Sequence, residues 1–295
     1  VLPALCILGA LAWVTVLQEK FWESEYSMWA RAVAVTARNP LAHAGLAKAL
    51  MEPDSSMSAQ DLRQFDTEEK RMDAAHEHYG EAVVLFRQLV REDAASIPEQ
   101  YERTLINFRA LDQRQNRLDD ARRHMEEALA LFRRRAQQDP DRFLADVGIT
   151  LQDLGTLAYL QKQMDDARRY YNGAVEVLAG IAKQQTGAQA PLALTLNDLG
   201  AVDQSQNRYD EATHHLRQAL EIYRQLAQSD PRHWLPSVAM VLTNMAIIDR
   251  DQHRMNEARA ELEEALADYR TLAESDRKYA DNAENVALTL KEIGN

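Results

Sequence analysis

The feature that most constrains this chain is a segment of about 46 residues that keeps returning in register. MDAAHEHYGEAVVLF starts at Met72, LDDARRHMEEALALF at Leu118, MDDARRYYNGAVEVL at Met164, YDEATHHLRQALEIY at Tyr209 and MNEARAELEEALADY at Met255, so successive starts lie 46, 46, 45 and 46 residues apart. A second, shorter segment recurs alongside it: LINFRA at Leu105, LQDLGT at Leu151, LNDLGA at Leu196, LTNMAI at Leu242 and LKEIGN at Leu290. Chance likeness between amphipathic helices would not hold this register.

One copy, from Asn197 to Leu226, shows what the unit is. Leu196, Leu199 and Gly200 fall at i, i+3 and i+4, one face of a helix. Polar residues from Gln204 to Arg208 break that pattern, and Asp210 opens a second helix at the end where a carboxylate offsets the helix dipole. Ala212, Leu216, Ala219, Leu220 and Tyr223 form its apolar stripe. An isolated helix pair cannot bury both stripes, so the pairs must stack on one another. The fold class is therefore all-α, an array of helix pairs.

The residues inside the pairs resemble the tetratricopeptide family. Each first helix carries a Leu-Gly pair or its equivalent: Leu154-Gly155, Leu199-Gly200, Met245-Ala246 and Ile293-Gly294. Each second helix carries two alanines, Ala121 and Ala128, Ala167 and Ala174, Ala212 and Ala219, Ala258 and Ala265. Between them stands one larger residue, Met125, Tyr171, Leu216 or Leu262. The unit is about a dozen residues longer than the usual 34, a leucine stands where an aromatic often starts the first helix, and Arg109 replaces the glycine of the Leu105 copy. The extra length is similar to the repeats of kinesin light chains and many bacterial relatives. The resemblance implies a right-handed α-solenoid whose first helices line a concave groove for a protein or an extended peptide.

Helices are predicted over 72–92, 98–115, 118–138, 141–162, 165–184, 190–206, 209–228, 234–251, 255–274 and 278–294. Asp139-Pro140 and Asp230-Pro231 mark matching loops, since a residue before proline disfavours helix. Upstream, residues 1–17 (VLPALCILGALAWVTVL) carry no charge and come close to the roughly 20 residues of a bilayer span. Residues 1–20 are read as a transmembrane helix that ends a truncated membrane region, with Trp13, Phe21 and Trp22 at the interface. Residues 21–71 read as first tetratricopeptide-like helices around Trp29, Ala32, Pro40 and Leu46-Ala47, with an insertion at 52–70 containing a short helix near Ala59–Phe65. Residues 72–295 read as the long array of about five 46-residue helix pairs, expected to be cut in mid-repeat at the end. The junction resembles bacterial relatives of membrane protein O-mannosyltransferases, which implies chemistry upstream of Val1. A membrane-anchored serine/threonine kinase is a further possibility of the same kind, and the charge bias places the array outside the cytoplasm.

Composition excludes several functions. A net charge of −12 without a basic patch argues against nucleic acid, and a lone Cys6 permits no internal disulfide. No phosphate loop, metalloprotease motif or paired cysteine ligands occur, so neither catalysis nor a cofactor nor a small-molecule substrate is expected. His76 and His78 stand at i, i+2 and point to different sides of their helix, so they do not chelate as a pair. His214 and His215 fail in the same way, and His124, which matches His215, is expected to face solvent. What recurs instead is an amide or acid before each Leu-Gly pair: Asn107, Gln152-Asp153, Asn197-Asp198, Thr243-Asn244 and Lys291-Glu292. Arg114, Tyr159, Gln204 and Arg250 follow further along their helices. These are the candidate groove residues. The amides would hydrogen-bond a peptide backbone, and Arg114 and Arg250 would hold acidic groups.

Overall fold

The computed structural model describes residues 24–53, 57–92, 98–275 and 279–293. The apolar segment, and with it the expected membrane helix, lies outside the described residues. Among those residues no helix is long and apolar enough to cross a membrane. The regular structure of the described residues is all helical: α1 Glu25–Val35, α2 Pro40–Met51, α3 Ala59–Arg63, α4 Glu68–Glu92, α5 Glu99–Arg114, α6 Leu118–Ala136, α7 Pro140–Leu160, α8 Met164–Ile181, α9 Gln189–Ser205, α10 Tyr209–Ser229, α11 Pro231–Asp251, α12 Met255–Ser275 and α13 Ala280–Ile293. They fall into two compact units that divide between Leu131 and Phe132, within α6.

In the first unit α1 packs on α2, α2 on α4, and α4 on α5. The insertion after α2 carries the short α3 where the sequence predicts it. In the second unit each helix packs on the next from α7 to α13, and α9 also touches α7 and α11. First helices therefore neighbour first helices, as a stacked array requires.

Helix starts differ from expectation in an instructive way. Asp139 and Asp230 cap their helices, their carboxylates accepting from the Arg142 and His233 amides at 3.3 and 3.2 Å. Pro140 and Pro231 are the first helical residues, where a missing N–H costs nothing. The predicted loops are thus caps. Likewise α4 begins earlier than predicted because the Thr67 hydroxyl accepts from the Lys70 amide at 3.2 Å.

Four first helices end identically. Asn116, Lys162, Asn207 and His253, at one register, have φ of 56, 59, 59 and 60°. The residue after each sends its amide back five positions: Arg117 to the Asp112 carbonyl at 2.7 Å, Gln163 to Ala158 at 2.9 Å, and Arg208 and Arg254 to Asp203 and Asp249 at 2.8 Å. This left-handed cap reverses the chain with no glycine in it.

The core is the set of alanines and their larger companions. Ala121, Ala128, Ala167, Ala174, Ala212, Ala219, Ala258 and Ala265 are wholly buried, and Met125, Tyr171, Leu216 and Leu262 nearly so. The glycines opposite explain the pairing. A Cβ on Gly155 would lie 2.6 Å from the Tyr171 ring, and one on Gly200 2.8 Å from Leu216 Cγ. Tyr171 and Leu216 fill the space these two glycines leave open.

Candidate functional site

In the second unit the amide and acid slots of α7, α9 and α11 meet across the first helices. The Asn244 side-chain amide donates to the Asn197 side-chain carbonyl at 2.8 Å. Asn197 and Gln152 each donate to the Asp198 carboxylate at 3.4 Å. Asn197 and Gln152 are buried, and Asp198 is half-buried. Burial pushes the Asp198 carboxyl up to about 6, against the opposing effect of the hydrogen bonds from Gln152 and Asn197. An ordinary aspartate is ionised well below that. The site thus holds a carboxyl group that gains from any cation brought to it.

The other expected groove residues are distributed differently. Asp153 sits one residue beyond Gln152 and is half-buried. Tyr159 is exposed at 41%. Gln204 donates to Asp251 at 3.2 Å, and Arg250 pairs with the same carboxylate at 3.3 Å. Thr243 takes no part in the amide chain, because its hydroxyl bonds back to the Ala239 carbonyl at 2.8 Å. Asn107 and Arg114 lie in the first unit. Arg114 reaches Glu68 and the Met51 carbonyl, both at 3.4 Å, and borders a polar cleft with Asp73, Gln115 and Arg117. Arg114 and Arg250 therefore meet acids of this chain first. Such exposed pairs are weak and exchangeable.

A further row was legible in the sequence but absent from the expected set. Two residues before each first-helix leucine stand Ile149, Leu194, Met240 and Leu288. Ile149, Leu194 and Leu288 are 39, 38 and 54% exposed, and Met240 is half-buried. Ile149, Leu194 and Met240 lie four residues before Asp153, Asp198 and Asn244, hence on the same helix face. In the Leu105 copy this slot is Arg103. The first helices α7, α9 and α11 so offer an aliphatic group one turn before an acid or amide.

A second polar system corrects the expectation for the histidines. His124 and His215 do not face solvent. Each donates through Nδ1 to a wholly buried aspartate at the end of a first helix, His124 to Asp112 at 2.8 Å and His215 to Asp203 at 2.9 Å. Arg168 Nε completes the Asp203 site at 2.8 Å. Burial opposes ionisation of Asp203, but the bonds from His215 and Arg168 outweigh it and hold the carboxyl below its usual range. The reason is spacing: His124 and His215 lie one position before Met125 and Leu216, close enough to the packed face to reach under the neighbouring helix. His214 is exposed, as expected.

The next copy breaks the pattern. Asp249 bonds Arg254 Nε at 3.0 Å, but Glu261 stands where His124 and His215 stand. Burial, then the charge of Asp249, raises the Glu261 carboxyl to about 7. A raised folded-state value contributes stability below the ordinary carboxyl range that is lost as pH rises through about 7. Glu261→His is therefore expected to stabilise the second unit by about 1 kcal/mol at pH 8, with less gain at pH 5. Urea unfolding at the two pH values measures this.

Residues 146–225 and 238–276 match the tetratricopeptide repeat family. The matched stretches hold Gln152, Asn197, Asp198 and Asn244. No curated protein matches the chain in sequence. Among solved structures, BtubC (BKLC) from P. vanneervenii aligns over 89% of this chain and 88% of that one, with 18% identity and a TM-score of 0.52. The apo form of RapI aligns over 74% of this chain and 69% of its own, with 14% identity and a TM-score of 0.54. Aspartyl phosphate phosphatase F from Bacillus subtilis aligns over 87% and 58%, with 13% identity and a TM-score of 0.59. At these identities the likeness is one of fold.

Proposed function

We propose that this chain is a non-enzymatic binding scaffold whose first-helix face in the second unit holds an extended peptide segment of a partner protein. One observation carries the reading: three first helices, α7, α9 and α11, repeat an exposed or half-buried aliphatic side chain and, a turn later, an acid or amide. A row of half-covered aliphatics beside linked polar groups suits a ligand that offers both side chains and backbone.

The geometry narrows the ligand. Packed helices are roughly 8–10 Å apart, and a polyproline-type strand repeats its orientation every three residues, about 9 Å. An extended segment with an aliphatic residue at every third position matches the row. Asp153, Asp198 and Asp251 favour lysine or arginine between those positions. The acidic chain as a whole, at −12, steers such a segment inward.

The test is selection of peptides from a random library by the full chain. Enrichment of aliphatic residues at three-residue spacing, with basic residues between, is the expected result. Acidic or unpatterned winners would refute the reading. A pH signature accompanies it. A cation stabilises the Asp198 carboxylate, so binding expels the proton held up to about pH 6. Affinity for a basic peptide is expected to rise several-fold from pH 5 to pH 7, and Asp198→Asn should flatten that profile. Titration by fluorescence anisotropy measures both.

A further inference from the structure

The repeats supply an internal comparison that exposes an unusual site in the first unit. Asp112 and Asp203 occupy the same register, as do His124 and His215. In the Asp203 copy a guanidinium from the preceding second helix, Arg168, completes the buried carboxylate at 2.8 Å. The residue at that register in the Asp112 copy is His76. The architecture keeps the buried aspartate and its histidine but has lost the arginine.

The consequence is visible in the atoms. Asp112 is wholly buried. Its Oδ2 accepts from His124 Nδ1 at 2.8 Å. Its Oδ1 faces His76 Nε2 at 3.3 Å, and neither of those two atoms has a hydrogen-bond partner. Asp120, in the first turn of α6, brings a carboxylate oxygen to the same place, so that all three groups lie within 4.8 Å of one another. Phe108 closes one side, its ring against both His76 and His124.

We propose that His76, Asp112 and Asp120 form a binding site for a divalent transition-metal ion of the Zn²⁺ kind. Two ligand atoms about 2.0–2.1 Å from a tetrahedral ion are about 3.4 Å apart, which is the separation the His76 and Asp112 atoms already have. One imidazole with two carboxylates suits Zn²⁺ and disfavours the all-oxygen ions Mg²⁺ and Ca²⁺. His124 supplies the supporting bond to the outer oxygen of Asp112, the arrangement that fixes a metal-ligating carboxylate. His76 and Asp120 keep 27 and 32% of their side chains exposed, which leaves an entry path and a fourth position for water. Two nearby arginines are already paired, Arg117 with Asp73 and Arg123 with Asp120. Asp120 must exchange Arg123 for the ion, and an exposed i,i+3 pair is weak enough to yield. Sequence motifs do not show this site because its ligands come from three helices.

The experiment is titration of the chelator-treated full chain with Zn²⁺ alone, followed by calorimetry and thermal unfolding. One equivalent of ion is expected to bind, raising the unfolding midpoint by roughly 5 °C when the ion is a hundredfold above its Kd. Mg²⁺ at the same concentration should do nothing. Asp120→Asn should weaken binding at least tenfold. His76→Arg is the decisive variant, since it restores the guanidinium of the Asp203 copy. It is expected to fold, to be at least as stable as the parent without metal, and to lose Zn²⁺ binding. No saturable binding below about 1 mM Zn²⁺, or binding that survives His76→Arg unchanged, overturns the proposal.

Discussion

Arg168→Ala lowers the stability of the second unit by about 3–5 kcal/mol at pH 7, the loss expected when one partner of a buried ion pair is removed. Asp203 has no exposed surface, and Arg168 Nε and His215 Nδ1 meet its two oxygens at 2.8 and 2.9 Å. Taking Arg168 away leaves a buried carboxylate with one hydrogen bond. Arg168→Met together with Asp203→Leu removes both charges and should recover most of the loss, because packed apolar groups of similar volume serve as well as a buried pair. Location matters more than distance here. Arg224 and Glu264 lie 2.5 Å apart but stay half-exposed, so Arg224→Ala is expected to cost under about 1 kcal/mol.

The pH dependence separates this effect from simple loss of packing. The Asp203 carboxyl titrates below its ordinary value in the folded chain. Its stabilising contribution is thus fully present above the ordinary aspartate range and is lost as pH falls through the lower folded value. The parent should lose stability steeply below about pH 4, and Arg168→Ala should lose much less there. Urea unfolding of both chains from pH 3 to pH 7 provides the comparison, and parallel curves would count against the buried pair. Because each repeat rests only on its neighbours, hydrogen exchange should quicken first in α8 and α9.

Ile149→Glu combined with Leu194→Glu is expected to weaken peptide binding by a hundredfold or more and to leave the helices intact. Fully burying an aliphatic side chain is worth about 1.5–3 kcal/mol, so covering the exposed share of two contributes roughly 1–2 kcal/mol, and desolvating two new carboxylates against the peptide supplies the rest of the loss. Both side chains are more than a third exposed in the free chain, so their replacement opens no core cavity. Circular dichroism and the urea midpoint should stay within the usual range for surface changes. A control double change on the second-helix face, Glu176→Gln with Glu221→Gln, should leave binding alone. Retained affinity in the Ile149, Leu194 variant would remove the aliphatic row from the account.

Much of the architecture is legible in the residues, and the reasons are physical. The period forces stacking, and the spacing of Ala167, Tyr171 and Ala174 gives the buried face of α8 directly. Gly200 against Leu216 follows from the same logic, since only one of two facing positions can be large. Helix ends are less legible. Asp139-Pro140 reads as a break, yet the same chemistry starts a helix when the aspartate caps it. The site is partly legible. Asn197, Asp198, Gln152 and Asn244 are expected groove residues and do come together. That the amides bond one another across repeats cannot be read from one helix, because it depends on how far neighbouring helices rotate. Ile149 and Leu194 are not legible as surface, because an aliphatic residue at the edge of an amphipathic stripe reads as core. His215 is illegible for the opposite reason: a polar residue beside the stripe reads as surface until a buried Asp203 is known to lie beneath it.

On the proposed function, the first helices of the second unit, and not their partners, hold the ligand. Photo-crosslinking tests it most directly. A selected peptide carrying a benzophenone at one aliphatic position is bound to the full chain, irradiated, and the adducts are mapped by mass spectrometry. The account predicts adducts on α7, α9 and α11, concentrated around Ile149, Leu194 and Met240 and shifting by one repeat when the label moves three residues along the peptide. Adducts confined to α8, α10 or α12, or unmoved by shifting the label, would contradict it.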